Sequence, residues 1–272
     1  MRFSATTASR LLASTALAAL LAAGLASCQT TGSETTGSIS AAAPRSEADW
    51  RGALGRLEAA YRANPNDPSA AMQYAQALRA TEQYTQAAAV LEQASIQNPN
   101  NKTLLGAYGR ALAEVGKYEQ ALDVLGKAHT PDMPDWRILS AQGAVLDQMG
   151  RHEDARKHYD AALKISPDEP SVLSNLGLSY ALSKNLPMAE ETLRKAVKQP
   201  KTDPRARQNL ALVVGLQGRF EEAESIARAD LPPEEAAANI AFLREMLTQR
   251  SRQSKTPPRP AAASKPKPAL RS

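Results

Sequence analysis

Gly116-Lys117-Tyr118-Glu119-Gln120-Ala121 returns as Gly150-Arg151-His152-Glu153-Asp154-Ala155 and again as Gly218-Arg219-Phe220-Glu221-Glu222-Ala223. The closing alanines extend into a column, Ala53, Ala87, Ala121, Ala155, Ala189 and Ala223, in which every step is 34 residues. Other columns keep the same step. One holds the small residues Ala75, Gly109, Gly143, Gly177 and Ala211, and one holds Ala60, Ala94, Ala128, Ala162 and Ala196. A bulky column runs through Trp50, Tyr84, Tyr118, His152, Leu186 and Phe220. Two helices pack closely only where a small side chain lets their backbones approach, so small residues at a fixed period predict helical hairpins with the bulky residue filling the gap beside the contact. Gly116, Gly150 and Gly218 supply the backbone freedom that ends a first helix. Pro65, Pro99 and Pro167 close second helices, and Pro134 and Pro200 stand one residue off that register. Leu78, Leu112, Leu146 and Tyr180, then Leu91, Leu125, Tyr159 and Leu193, recur at helical spacing as core positions. No alternating strand pattern is present.

A 34-residue period with these columns resembles the tetratricopeptide repeat (TPR). The resemblance implies an all-α fold, a TPR helix-turn-helix solenoid wound as a right-handed superhelix. Five full repeats are expected near 68–101, 102–135, 136–169, 170–203 and 204–233. A half repeat at about 47–66 precedes them. A capping helix from Pro233 to about Gln249 follows, with Ile240, Leu243 and Leu247 turned inward, since an end repeat otherwise exposes its core face.

The two ends of the chain are not solenoid. Arg2 and Arg10 precede an uncharged stretch from Leu11 to Leu25, too short and too rich in alanine for a membrane span and suited to a secretory signal over residues 1–27. Leu25-Ala26-Ser27-Cys28 resembles a bacterial lipobox, in which Cys28 is acylated and becomes the N-terminus. By resemblance to enterobacterial sorting rules, Gln29 in the next position favours the outer membrane, so the protein is expected to be lipid-anchored there on the periplasmic face. Cys28 is the one cysteine, so no disulfide forms within the chain. Residues 28–46 are Ser, Thr and Gly with little apolar surface and read as a flexible tether. Residues 251–272 carry six cations and no acid among prolines and read as a basic, disordered tail. The net charge of +5 falls to +3 without Arg2 and Arg10, and to about −3 for residues 29–250 without the tail's six. The folded body at 47–250 is thus mildly acidic, which argues against nucleic acid as a partner.

No catalytic constellation stands out, and the chain is expected to be no enzyme and to need no cofactor or metal. His152 falls in the bulky column, and six residues separate it from His158, off the spacing of a helical metal pair. There is no nucleophile elbow, dinucleotide fingerprint or P-loop. What remains is surface. By analogy with TPR geometry, the groove offers Gln76, Arg79, Arg110, Glu114, Arg137 and Asp147 toward the N-terminus, and Asn175, Leu178, Leu182, Asn209, Leu212 and Leu216 toward the C-terminus. The Lys/Asn clamp of chaperone-tail-binding TPR domains is absent, those columns holding Ser69, Met72 and Gln76, then Thr103, Gly106 and Arg110. The C-terminal set is the expected recognition site, its leucines taking side chains and Asn175 and Asn209 orienting a peptide backbone. The alternative is that the capping helix covers the leucines.

A lipobox, a Ser/Thr/Gly tether and about five repeats together resemble the outer-membrane TPR lipoproteins of secretion and pilus systems, most of all the TadD lipoproteins of the tight-adherence (Flp, Tad-type) pilus assembly system. The resemblance implies a lipid-anchored assembly factor whose partners are proteins, the secretin or other pilus components. The competing expectation is a TPR adaptor lipoprotein for envelope or peptidoglycan-modifying enzymes.

Overall fold

The computed structural model describes residues 46–200 and 202–255. Cys28, the signal, the tether and residues 256–272 lie outside the described residues. The described residues form twelve helices and no strand, only an isolated bridge between Thr130 and Met133. The helices are α1 (Glu47–Ala63), α2 (Pro68–Ala80), α3 (Tyr84–Gln97), α4 (Lys102–Glu114), α5 (Tyr118–Lys127), α6 (Trp136–Gln148), α7 (His152–Ile165), α8 (Pro170–Leu182), α9 (Leu186–Val197), α10 (Pro204–Leu216), α11 (Phe220–Ala227) and α12 (Pro233–Lys255). They fall into two compact units that divide after Leu210.

The repeating helix starts and stops have local causes. First helices begin behind Asp67, Asn101, Asp135 and Glu169, whose side chains accept from backbone N–H groups of the first turn, and Asp203 accepts from Arg205 N in the same way. This capping column also keeps the 34-residue step. First helices end at positions 82, 116, 150, 184 and 218, all left-handed, with φ of 60°, 78°, 75°, 65° and 84°. The next residue's N–H bonds back to the carbonyl five residues earlier, as in Gln83 to Leu78, Lys117 to Leu112, Arg151 to Leu146, Asn185 to Tyr180 and Arg219 to Val214. This is the Schellman closure that left-handed backbone permits. Glycine supplies that backbone at three of the five sites, while Glu82 and Lys184 adopt it with a side chain.

In the first unit, α1 through α9 pack in chain order, each helix against its neighbours, and the first helices α2, α4, α6 and α8 also meet one another in succession. The alanine column from Ala87 to Ala189 is fully buried. The small column meets the core leucines. A Cβ on Gly109 would fall 2.6 Å from Leu125 Cγ, one on Gly143 2.6 Å from Tyr159 Cε1, and one on Gly177 2.6 Å from Leu193 Cγ. The gap beside the small residue is therefore filled by the Leu91/Leu125/Tyr159/Leu193 column. The bulky column does not fill it as expected: Tyr84, Tyr118, His152 and Leu186 open the second helices and stay partly or wholly exposed. Ala60 also departs from its column and is exposed, because α1 packs on α2 alone among the described helices. Second helices followed by the off-register prolines are short, at 10 residues for α5 and 12 for α9 against 14 for α3 and α7.

In the second unit, α12 buries Ile240 and Leu243 and half-buries Leu247. Leu243 Cδ2 sits 2.5 Å from where a Cβ on Gly215 would be, so the two helices approach at a glycine. The helix runs to Lys255, beyond the residue 250 boundary drawn from composition. Residues 251–255 (SRQSK) contain no proline or glycine to stop it, and Pro257 is the first residue that can.

Candidate protein-binding groove

Helices α4, α6 and α8 of the first unit flank an open groove of about 580 Å³. Its lining includes Arg110, Ala113 and Glu114 from α4, Tyr118 from α5, Trp136, Arg137, Ser140, Ala141, Ala144 and Gln148 from α6, and Ser171 and Asn175 from α8. Ala113, Ser140, Ala141 and Ala144 are small, which opens the space. Trp136 and Tyr118 supply aromatic surface beside it. The Arg137 guanidinium lies over the Trp136 ring, 4.4 Å from its centroid.

The charges of the groove are unevenly matched. Glu114 is held by Arg79 in a two-pronged pair, with Arg79 Nε donating to Glu114 Oε2 at 2.6 Å. That bond raises the Arg79 pKa above its ordinary value. Arg110 has no carboxylate within ion-pair distance among the described residues, and its pKa is lowered, first by burial and next by the Arg79 charge. Asp135 and Glu114 lie near enough only to oppose this in part. Arg137 has Asp135 Oδ1 at 3.9 Å from Nη1, but that same oxygen accepts the Arg137 backbone N–H at 2.8 Å as the helix cap.

Of the six C-terminal residues expected to form the recognition site, this groove includes Asn175 alone. Leu178 and Leu182 stand 34 residues after Ala144 and Gln148, which do line it, and Asn175 stands 34 after Ala141. One repeat later the position of Ala144 is taken by the wider Leu178. Leu178 and Leu182 are half-buried on α8. Leu212 and Leu216 are half-buried on the part of α10 that belongs to the second unit. Asn175 Nδ2 donates to Ser140 Oγ at 3.1 Å and Asn209 Nδ2 donates to Ser174 Oγ at 3.1 Å, so each asparagine ties its first helix to the one before. The amides expected to orient a peptide thus serve the register between repeats.

Asp147 does not face the groove as the sequence suggested. It is buried, and accepts from Tyr159 Oη at 2.9 Å and from Ser179 Oγ at 2.8 Å, with His152 Nδ1 also 2.8 Å from it. Burial, then the Asp147 charge, raises the Tyr159 pKa and keeps its phenol protonated. The serine, histidine and aspartate do not form a nucleophilic relay. Ser179 is fully buried and its hydroxyl hydrogen goes to Asp147 rather than to the imidazole. The network was detectable in the sequence as simultaneous departures from apolar columns: Asp147 for Ala113 and Ala181, Tyr159 for Leu125 and Leu193, Ser179 for Val145 and Val213.

Residues 143–184 match the family described as TPR repeat, and residues 46–128 match the family described as anaphase-promoting complex, cyclosome, subunit 3. The described helices have the fold of a TPR-type helical solenoid. A comparison with curated proteins finds no match. Among solved structures, the TPR helices resemble PilW, titled a widely conserved type IV pilus biogenesis factor, at a TM-score of 0.60 and 18% identity over 71% of this chain and 91% of that one. They resemble the Cut9–Hcn1 hetero-tetramer of the APC/C at 0.60 and 13% identity over 75% of this chain and 40% of that one. The human IFIT1 dimer, solved with m7Gppp-AAAA, gives 0.60 and 17% identity over 75% and 51%. At these identities the likeness is one of fold.

Proposed function

We propose that this protein is an outer-membrane-anchored TPR scaffold, an assembly factor for pilus biogenesis of the Flp (Tad) type or for secretion, acting by protein–protein binding and without catalysis. The groove of α4, α6 and α8 carries the reading. It is open, it combines apolar walls with an arginine that has no ion-pair partner among the described residues, and the polar cluster around Asp147 is closed off in the core. Such a surface suits an extended or helical segment of another protein. The lipobox at Cys28 supports a lipid anchor that holds this surface at the membrane. The fold likeness to PilW, described as a pilus biogenesis factor, supports the assignment to pilus assembly.

Deleting the gene is expected to abolish surface pili, and the wild-type chain to restore them. Cys28→Ser is expected to take up no radiolabelled palmitate and to restore pili poorly. Equal palmitate labelling of Cys28→Ser and wild type contradicts the anchor. Normal pili accompanied by an altered cell wall contradict the pilus assignment and point to an adaptor for peptidoglycan-modifying enzymes.

A further inference from the structure

The groove also indicates what chemistry its partner carries. An arginine drawn out of water without a counter-ion is costly, and the cost is removed when a carboxylate arrives. Arg110 is in that condition, half-buried, beside the like charge of Arg79, while Glu114 is already taken by Arg79 in two hydrogen bonds and Asp135 accepts the Arg137 backbone N–H as the cap of α6. Arg137 adds a second, exposed cation whose guanidinium lies over the Trp136 ring. Trp136 and Tyr118 give the same groove apolar faces.

We propose that the groove takes an acidic segment of a partner protein, with Arg110 and Arg137 as contacts for a carboxylate and Trp136 and Tyr118 as walls for a neighbouring apolar side chain. This rests on the protein-binding reading and narrows it. The chain's own C-terminal tail is excluded as the occupant by its charge, since residues 251–272 carry six cations and no acid. A nucleic acid fits less well, because Glu114 lines the groove and Asp135 caps the helix under Arg137, so a run of phosphates meets acids where an isolated carboxylate need not.

The test uses the mature chain carrying Trp50→Phe, which leaves Trp136 as the one tryptophan. Its emission is followed on adding a peptide of alternating Glu and Phe, the same peptide with Gln for Glu, and single-stranded oligouridylate. The acidic peptide is expected to shift the emission and to bind about ten-fold tighter than the Gln peptide, and Arg110→Gln to remove that advantage with the helical circular dichroism unchanged. Arg110→Lys keeps the charge without the fork and should retain part of it. Where Arg110→Gln does not fold, added salt serves on the unchanged groove and should weaken the acidic peptide alone. Equal binding of the two peptides, tighter binding of the RNA, or no emission change with any probe overturns the proposal. Photo-crosslinking in cells from Gln148, an exposed residue of the groove lining, separates this failure from the broader one. Protein captured there through an acid-free segment overturns the acidic specificity alone, whereas no protein captured there overturns the binding function as well.

Discussion

At the residue scale, two departures from the repeat columns matter most. The first is the left-handed position that closes each first helix. Glu82 and Lys184 hold φ of 60° and 65° there, where Gly116, Gly150 and Gly218 hold the same backbone without a Cβ. A side chain in this region costs roughly 1–2 kcal/mol. Glu82→Gly and Lys184→Gly should therefore each stabilise the fold by roughly 1 kcal/mol after the added chain entropy of glycine is set against it, read as a rise in Tm. The second departure is the Asp147 network. Asp147→Ala leaves the buried hydroxyls of Tyr159 and Ser179 without their acceptor and should cost roughly 1–3 kcal/mol in denaturant unfolding. Adding Tyr159→Leu and Ser179→Val rebuilds the neighbouring repeats' Ala113, Leu125 and Val145 and should recover most of that loss. A triple variant as unstable as the single one contradicts this. The glycine and alanine columns could be read from spacing because each repeats one local requirement. The network is missed by a column-by-column reading, which treats each departure as a local exception, and is found only by comparing the departures of Asp147, Tyr159 and Ser179 across columns.

At the element scale, the helical hairpin depends on close approach at the small column. An added methyl at Gly143 would press on the ring of Tyr159, which is fully buried and has no room to turn, with ring atoms at 2.6, 2.8 and 2.9 Å. Gly143→Ala should cost roughly 1–3 kcal/mol. Gly55 in α1 is exposed and has nothing within 4 Å of its would-be Cβ, so Gly55→Ala should instead stabilise by roughly 0.5–1 kcal/mol through helix propensity. Urea unfolding of the two variants side by side checks the contrast, and destabilisation by both would show that helix propensity has been misjudged. Element order and the starts of the helices were legible because proline, glycine and capping side chains mark them. The end of α12 at Lys255 was not, since the change to a basic composition near residue 250 carries no stop signal.

At the scale of the whole molecule, the period was legible, but the depth of the groove was not. Depth depends on which repeat places small residues there. Ala144 and Ala141 open the surface around α6, whereas Leu178 stands in the place of Ala144 one repeat later. Apolar exposure alone pointed to the leucines. The space between helices instead favours the groove of α4, α6 and α8, with its arginines and tryptophan, where a carboxylate and an apolar group can be held together. The central claim is that a protein partner lies in this groove, and it is tested most directly by site-specific photo-crosslinking in living cells. One probe replaces Gln148 in the groove lining, and the control replaces Lys157, exposed on the second helix α7. The expected result is a discrete adduct with a pilus or secretion component from position 148, absent from position 157 and lost with Arg110→Gln. Adducts of equal yield from both positions, or from 157 alone, would contradict it.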